Sequence, residues 1–442
     1  MGRWGVRLLC GGSAVWALAG CGAERQVFAH YMVCIPTFGA RSGLAEYQEE
    51  IRAAQAAGID GFALNCGGWS VREPHYKRRA QLIYQAAKDL GTGFKLLISA
   101  DYATGLTSEE TRDMVESFRG HPNQFRLDGK PVLSTFGGGR AQREFVARTF
   151  TGTNAIVYVP FYYPVPAAEM PNREQAAQVF RDHPGLDGFF HFGAAGTPEQ
   201  IVESNRLLAS VWLGGGKIFM AGITPYYRGL GGNYRVYESR GFEGYVRQWE
   251  GAIRDRATWV ELVTWNDWGE ASYLAPFGPP AETRHWNGHW GEMLSHEAFL
   301  RLSRYYIAWY KRGTPPPIRV DTLYYAYRTH PKTAAGRLQP REAASATGYP
   351  AHAETLFDSV FVTLFLAAPA RLTITSGEYS QAFSFDTGVR HVGMPFVPGR
   401  QRFALTRGEK TIIDKTGELE ISADDTGGNF NLFAGWAEAP TP

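Results

Sequence analysis

Two carboxylates, Asp267 and Glu270, stand three residues apart in the stretch Trp265-Asn266-Asp267-Trp268-Gly269-Glu270. The run before it, residues 259–264, has the composition of a buried strand. The acids are therefore expected at a strand exit, among aromatic rings, with Gly269 free to turn the chain sharply. Two carboxyl groups beside flat apolar surface are the equipment for breaking a glycosidic bond. One protonates the leaving oxygen, the other activates water or attacks, and the rings stack on sugar faces. The competing reading is a helix N-terminus whose dipole the acids complement.

Such a pair needs a scaffold, and the preceding sequence supplies a rhythm. Apolar runs at 27–33, 61–65, 94–101, 131–136, 155–160, 188–192, 217–222 and 259–264 alternate with helical patterns at 44–57, 76–90, 108–118, 142–150, 173–181, 197–213, 241–256 and 296–311. Gly58 and Gly91 are natural helix ends, and Ser108 is a cap for the third helix. Eight strand–helix pairs predict an α/β fold, a (β/α)₈ barrel. A doubly wound open sheet is the alternative, disfavoured by the count and by the missing Gly-rich phosphate turn.

In a barrel the residues just past the strands gather on one face. Here they are His30, Asn65, Asp101, Tyr162, His191, Tyr226, Tyr227, Asp267 and Glu270. Asp101 is a third acid at that face, or a loop-capping residue. His30 reads as a sugar ligand or a satisfied buried imidazole, and Asn65 as a hydroxyl partner or a loop tie. Trp265, Trp268 and Trp286 are candidate stacking rings. Asp60 precedes its strand and reads as structural. His285 and His289 are spaced by four, but a Gly-containing loop removes the helical meaning of that spacing and no third ligand follows. No metal and no cofactor are expected.

The chain has 442 residues, 44% of them hydrophobic, and a formal charge of +2 spread along the sequence. It has no basic run or stripe, which argues against a nucleic-acid partner. Aromatics reach 14%, with 12 Trp and 22 Tyr, a surplus that suits carbohydrate handling. Arg3, Arg7, an apolar stretch at 8–18 and Leu18-Ala19-Gly20-Cys21 read as a lipoprotein signal ending at a lipidated cysteine. Residues 1–21 are thus expected to be the leader together with its lipobox residue Cys21. The mature chain would begin at Cys21, anchored in a bacterial outer membrane and facing the periplasm or the surface, because Gly22 replaces the Asp of inner-membrane retention. Cys34 and Cys66 fall near the ends of neighbouring strands, as a disulfide pair or as two buried thiols. Thr314-Pro315-Pro316-Pro317 reads as a linker. It divides a barrel at 22–317 from a region at 318–442 whose short alternating runs (372–376, 381–385, 402–405 and 419–422) predict a small β-sandwich. A monomer is expected.

Several stretches, in order, resemble family 71 of the glycoside hydrolases, the α-1,3-glucanases or mutanases. They are Val27-Phe28-Ala29-His30-Tyr31-Met32, Gly58 to Asn65, Phe94 to Asp101, His121-Pro122-Asn123-Gln124-Phe125 with Asp128-Gly129-Lys130-Pro131, Thr264 to Glu270, and Tyr324-Tyr325-Ala326-Tyr327-Arg328-Thr329-His330-Pro331. The likeness covers about residues 27–335 well and the remainder loosely. It implies a (β/α)₈ domain with an appended β-sandwich, and endo-type, inverting hydrolysis of α-1,3-glucan without metal or cofactor. It places the catalytic carboxylates at Asp267 and Glu270 and a further functional Asp at Asp101. The chain departs from the family pattern in its lipid box, in Trp268 where Tyr is frequent, in Cys34 and Cys66, and in Phe161-Tyr162-Tyr163-Pro164 where Asn/Asp-Trp is expected.

Glu270 is the candidate acid, since an aromatic setting raises a carboxyl pKa, and Asp267 the candidate base. The reverse assignment, or Asp101 as base, stays open. So do another α-glucan as substrate and, from a different class, a non-catalytic glycan-binding surface lipoprotein. Keeping both acids favours the enzyme, because a binder has no use for the pair.

Overall fold

Each apolar run becomes a strand, and most are followed by a helix that covers it. The computed structural model describes residues 24–163, 170–183, 185–229, 233–277, 293–334, 349–423 and 430–440. β1 (Gln26–Met32) lies parallel to β2 (Gly61–Cys66), and β2 to β3 (Lys95–Asp101). A short β4 (Arg126–Leu127) turns back into β5 (Lys130–Phe136) through Asp128 and Gly129. Both turn residues have positive φ, 49° and 77°, which a two-residue hairpin of matching twist requires. β5 runs parallel to β3 and to β6 (Val157–Pro160). β7 (Gly188–His191), β8 (Ile218–Ile223) and β9 (Trp259–Leu262) follow in parallel, and β9 pairs with β1.

The order β4-β5-β3-β2-β1-β9-β8-β7, with β6 on β5, joins the first strand to the last, so the sheet curves round on itself. β6 and β7 are neighbours with no ladder between them among the described residues. Among the described residues the α-helices are α1 (Leu44–Ala56), α2 (His75–Leu90), α3 (Ser108–Phe118), α4 (Arg140–Thr149), α5 (Arg173–Asp182), α6 (Pro198–Gly214), α7 (Phe242–Arg254) and α8 (Glu297–Arg312). The cap of α3 is Thr107 rather than Ser108: its hydroxyl accepts from the Glu110 amide while Glu110 reaches back to the Thr107 amide. Gly91 ends α2 in the left-handed region, φ 62°.

The inner face is layered by strand parity. Phe28, Phe125 and Trp259 form a floor, with ring centroids 5.0 to 6.3 Å apart. His30 and Glu261 lie one step up, and the strand exits above them carry the acids. At the opposite end Asp60 accepts from the Val27 amide (2.8 Å) and pairs with Lys311 (2.7 Å), which is a structural role. Cys34 and Cys66 are both free thiols.

Beyond α8 every ladder between strands among the described residues is antiparallel. β10 (Thr322–Tyr327), β11 (Ser359–Leu366), β14 (Gly388–Pro395) and β17 (Phe433–Glu438) form one sheet in the order β14-β11-β10-β17. β12 (Ala370–Ser376), β13 (Tyr379–Phe385), β15 (Gln401–Arg407) and β16 (Lys410–Thr416) form another, β13-β12-β15-β16. Leu323, Val360, Val362 and Leu364 share a buried cluster with Leu372, Ile374, Phe403 and Leu405. The expected strand at 419–422 is only a bridge between Ile421 and Gly399. β10 and β11 carry no alternation because almost every residue is buried, which hides them from a period-two reading.

This C-terminal region also braces the loop after β8. The Val236 amide donates to the Ala351 carbonyl (3.0 Å), and the Ala351 amide to Tyr234 (3.0 Å). Tyr237 stacks on His352 at 5.2 Å. Glu238 accepts from the Phe357 amide at 2.9 Å.

Candidate active site

The loop after β9 divides its six residues between anchoring and chemistry. The Trp265 indole N–H donates to Glu50 of α1 (2.7 Å), and its amide to the His30 carbonyl (2.7 Å). The Asn266 side chain accepts from the Met32 amide (2.7 Å) and donates to Met32 and Ile35 carbonyls (3.1 and 3.0 Å). The Trp268 indole donates to Ile35 at 3.0 Å. These three side chains tie the loop to α1, to the end of β1 and to the turn after it. Asp267 and Glu270 are left to line a cavity of about 430 Å³, an ordinary size for a ligand cleft.

The acids are linked to each other. Asp267 Oδ1 accepts from the Glu270 amide at 2.9 Å, and the Asp267 amide donates to Thr264 Oγ1 at 2.8 Å. Glu270 Oε1 accepts from the Tyr227 hydroxyl at 2.9 Å. Burial and then the nearby Asp267 charge push the Glu270 carboxyl up to about 8, against the pull of Tyr227 and Arg235. Burial also raises Asp267, opposed in part by the amides of Glu270 and Gly269 and by the His30 ring. Glu270, raised to about 8, keeps its proton near neutral pH.

Asp101 enters the same cavity from β3. It also caps the turn at 102–104, accepting from the Ala103 amide at 2.9 Å and from the Asn65 amide group at 3.2 Å. Burial raises its carboxyl. His191 Nδ1 meets Asn205 Oδ1 at 2.8 Å, and Asn205 in turn donates to the Gly222 carbonyl at 3.1 Å. That fixes the Nδ1–H form, and burial lowers the ring to about 4, so it is neutral. His30, Asn65 and Tyr227 complete the expected residues that the cavity gathers.

Four others are turned away from it. The Tyr162 hydroxyl donates to the Val179 carbonyl (3.2 Å), with the Arg143 guanidinium 3.9 Å over its ring. The Tyr226 hydroxyl donates to the Phe430 carbonyl (2.7 Å), and Trp265 and Trp268 are the buried anchors just described. Trp286, His285, His289 and Cys21 lie outside the described residues. Among the described residues no group of three His, Cys, Asp or Glu could hold a metal.

Residues not singled out from the sequence form the other walls. Phe136, Phe161, Tyr163 and Phe192 make an aromatic wall, with centroids 4.8 to 6.2 Å apart along its chain of contacts. Asn233 and Arg235 line the Glu270 side, Arg235 lying 5.6 Å from the Tyr227 ring. The missed signal is parity: Phe161 and Tyr163 share a face, and Tyr162 faces the other way.

Glu50, the anchor of Trp265, is itself buried and accepts from Tyr31 (2.9 Å) and Thr37 (2.6 Å). Burial pushes its carboxyl up to about 7. A raised folded-state value means that the folded chain holds the proton more tightly than the unfolded one. Its effect on stability is absent below the unfolded value, grows as pH rises from about 4.5 to 7, and is then constant, on the order of 3 kcal/mol lost. Thermal unfolding of wild type and Glu50→Gln across that range should show the wild type losing ground to the variant by about this amount. Parallel curves would remove the assignment.

A profile of glycosyl hydrolase family 71 matches residues 23–441. The chain is 27% identical over 427 residues to a mutanase of Penicillium rubens, covering 93% of this chain and 88% of that one. It is 29% identical over 427 residues to the glucan endo-1,3-alpha-glucosidase agn1 of Schizosaccharomyces pombe, covering 93% and 95%. A solved GH99 endo-alpha-mannosidase from Bacteroides thetaiotaomicron is similar at 13% identity and a TM-score of 0.49, over 66% of this chain and 99% of that one. Acids at a strand exit and a matching profile over nearly the whole length define a glycoside hydrolase. The chain belongs to glycosyl hydrolase family 71.

Proposed function

We propose that this enzyme cleaves α-1,3-linked glucan within the chain and with inversion, Glu270 protonating the leaving oxygen and Asp267 activating water. The carrying observation is the placement of the pair: two buried carboxyls leave β9 into one cavity, Asp267 Oδ1 bound by the Glu270 amide and Glu270 Oε1 by the Tyr227 hydroxyl. An inverting acid must arrive protonated and its base ionised. The names of the two fungal relatives support α-1,3-glucan as the substrate. His30, Asn65, His191 and Tyr227 are the proposed sugar ligands, and the aromatic wall at Phe136, Phe161 and Tyr163 the stacking surface. A purely binding protein gains nothing from two buried acids that repel each other.

The sheet order and the adjacency of β6 and β7 support a complete (β/α)₈ barrel over residues 22–317, and the shared core of the two C-terminal sheets supports a β-sandwich over 318–442. The leader motif supports export and, more specifically, anchorage through Cys21 in a bacterial outer membrane, with the protein acting as a monomer. Purified protein incubated with a panel of α-glucans should release oligosaccharides from the α-1,3-linked polymer. Proton NMR of the first product should show the β-anomer. Release only from another linkage would overturn the substrate, and an initial α-anomer the mechanism.

A further inference from the structure

We infer that Glu261 is a positioning residue of the reaction: it holds His30 with one ring nitrogen turned into the cleft to accept a hydroxyl of the sugar beside the acids. The inference rests on the hydrolase reading above. β1 and β9 pair with Phe28 opposite Glu261 and Ala29 opposite Leu262, so His30 and Glu261 come from adjoining strands below the strand exits. His30 Nδ1 and Glu261 Oε1 are 2.6 Å apart, and both side chains are wholly buried. Phe192 meets the imidazole edge-on at 5.0 Å and 80°.

Nothing in the packing calls for an acid there. Glu261 Oε2 has no hydrogen-bond partner among the described residues, and burial alone raises its carboxyl. A buried carboxylate with so little around it costs stability, and an apolar side chain of similar volume would do as well or better. What the carboxylate does is fix a tautomer. An acceptor at Nδ1 keeps the ring proton on Nδ1, which leaves a lone pair on Nε2. His30 Nε2 is buried, has no partner among the described residues, and belongs to the cavity lining. Asn65 Oδ1 is in the same condition, and Asp101 and Asp267 line the same cavity. The floor is thus a set of acceptors, matched to a ligand that brings hydroxyl donors.

Removing Glu261 has a definite consequence. The ring is then free to carry its proton on Nε2, and the sugar hydroxyl loses its acceptor. Because contacts to the sugar at the reacting centre strengthen in the transition state, the loss should fall on kcat more than on KM.

The test uses the full chain and a soluble α-1,3-linked glucooligosaccharide. Glu261→Leu removes the acceptor and keeps the volume; Glu261→Gln keeps an acceptor oxygen. Glu261→Leu should lower kcat by about tenfold to a hundredfold, the size seen when the carboxylate behind a metal-ligating histidine is removed. KM and the unfolding temperature should hardly move, and Glu261→Gln should recover most of the rate. Wild-type kcat in Glu261→Leu, or a loss that Glu261→Gln does not relieve, would overturn the role. Nitrogen-15 spectra of the wild-type imidazoles, with His30 assigned through His30→Gln, give a second readout that needs neither turnover nor a folded Leu variant. A protonated Nδ1 and an Nε2 shift on adding the oligosaccharide support the pairing; a protonated Nε2 or an unmoved signal overturns it. If the wild type does not cleave the oligosaccharide, the hydrolase reading fails by itself, and the spectra still decide the role of Glu261.

Discussion

Replacing Glu270 by Gln should lower turnover by about 10²–10⁴-fold while leaving oligosaccharide affinity within a few-fold of wild type. Gln keeps the shape and can still accept from Tyr227, so the cleft stays formed and only the transferable proton is lost. The wild-type pH profile should carry the same signature. Glu270 is raised to about 8, so it is protonated through neutrality and becomes inactive as an acid above that point. The alkaline limb of kcat/KM should therefore fall near pH 8 rather than near an ordinary carboxyl value. Stopped assays with calorimetric binding would check both. Near-normal turnover in Glu270→Gln, or an alkaline limb unrelated to this carboxyl, would remove Glu270 from the role of acid.

Asp267→Asn is expected to cause a loss of similar size for the opposite reason, since the water loses its base. It carries a further consequence. The Asp267 charge helps raise Glu270, so its removal must lower the Glu270 value toward the usual carboxyl range. Carbon-13 titration of the Glu270 carboxyl in wild type and variant would show that displacement directly. Asp101→Asn decides between the two candidate bases. If Asp267 is the base, Asp101→Asn retains far more activity than Asp267→Asn; the reverse ranking would pass the role to Asp101.

Much of this was legible in the sequence because the signals were local. The strand–helix alternation placed every parallel strand and helix to within a few residues, since each apolar run ends in a glycine, proline or polar turn. Asp267, Glu270, Asp101, His30, Asn65, His191 and Tyr227 could be named because they follow strand ends, and the cavity gathers all seven. What was hidden depended on direction and on distance along the chain. Trp265 and Trp268 look like stacking rings in the linear sequence, yet their indole N–H groups are fastened to Glu50 and Ile35, more than two hundred residues earlier. Tyr162 was preferred to its neighbours although a one-residue step reverses the face. Glu261 read as one polar letter inside a strand, and only the closing of β9 on β1 brings it to His30. β10 and β11, buried along nearly their whole length, offered no alternation to find.

The paired backbone at Val236, Ala351 and Tyr234 bears on how such enzymes can be rebuilt. The loop that supplies Tyr227 and Arg235 to the acid is stitched to a stretch more than a hundred residues further along. Recombination that exchanged the C-terminal region as a free-standing cassette would exchange one edge of the reaction chamber with it. Chimeras cut at the proline linker should therefore inherit altered activity along with a new surface, unless residues 349–358 travel with the loop they hold.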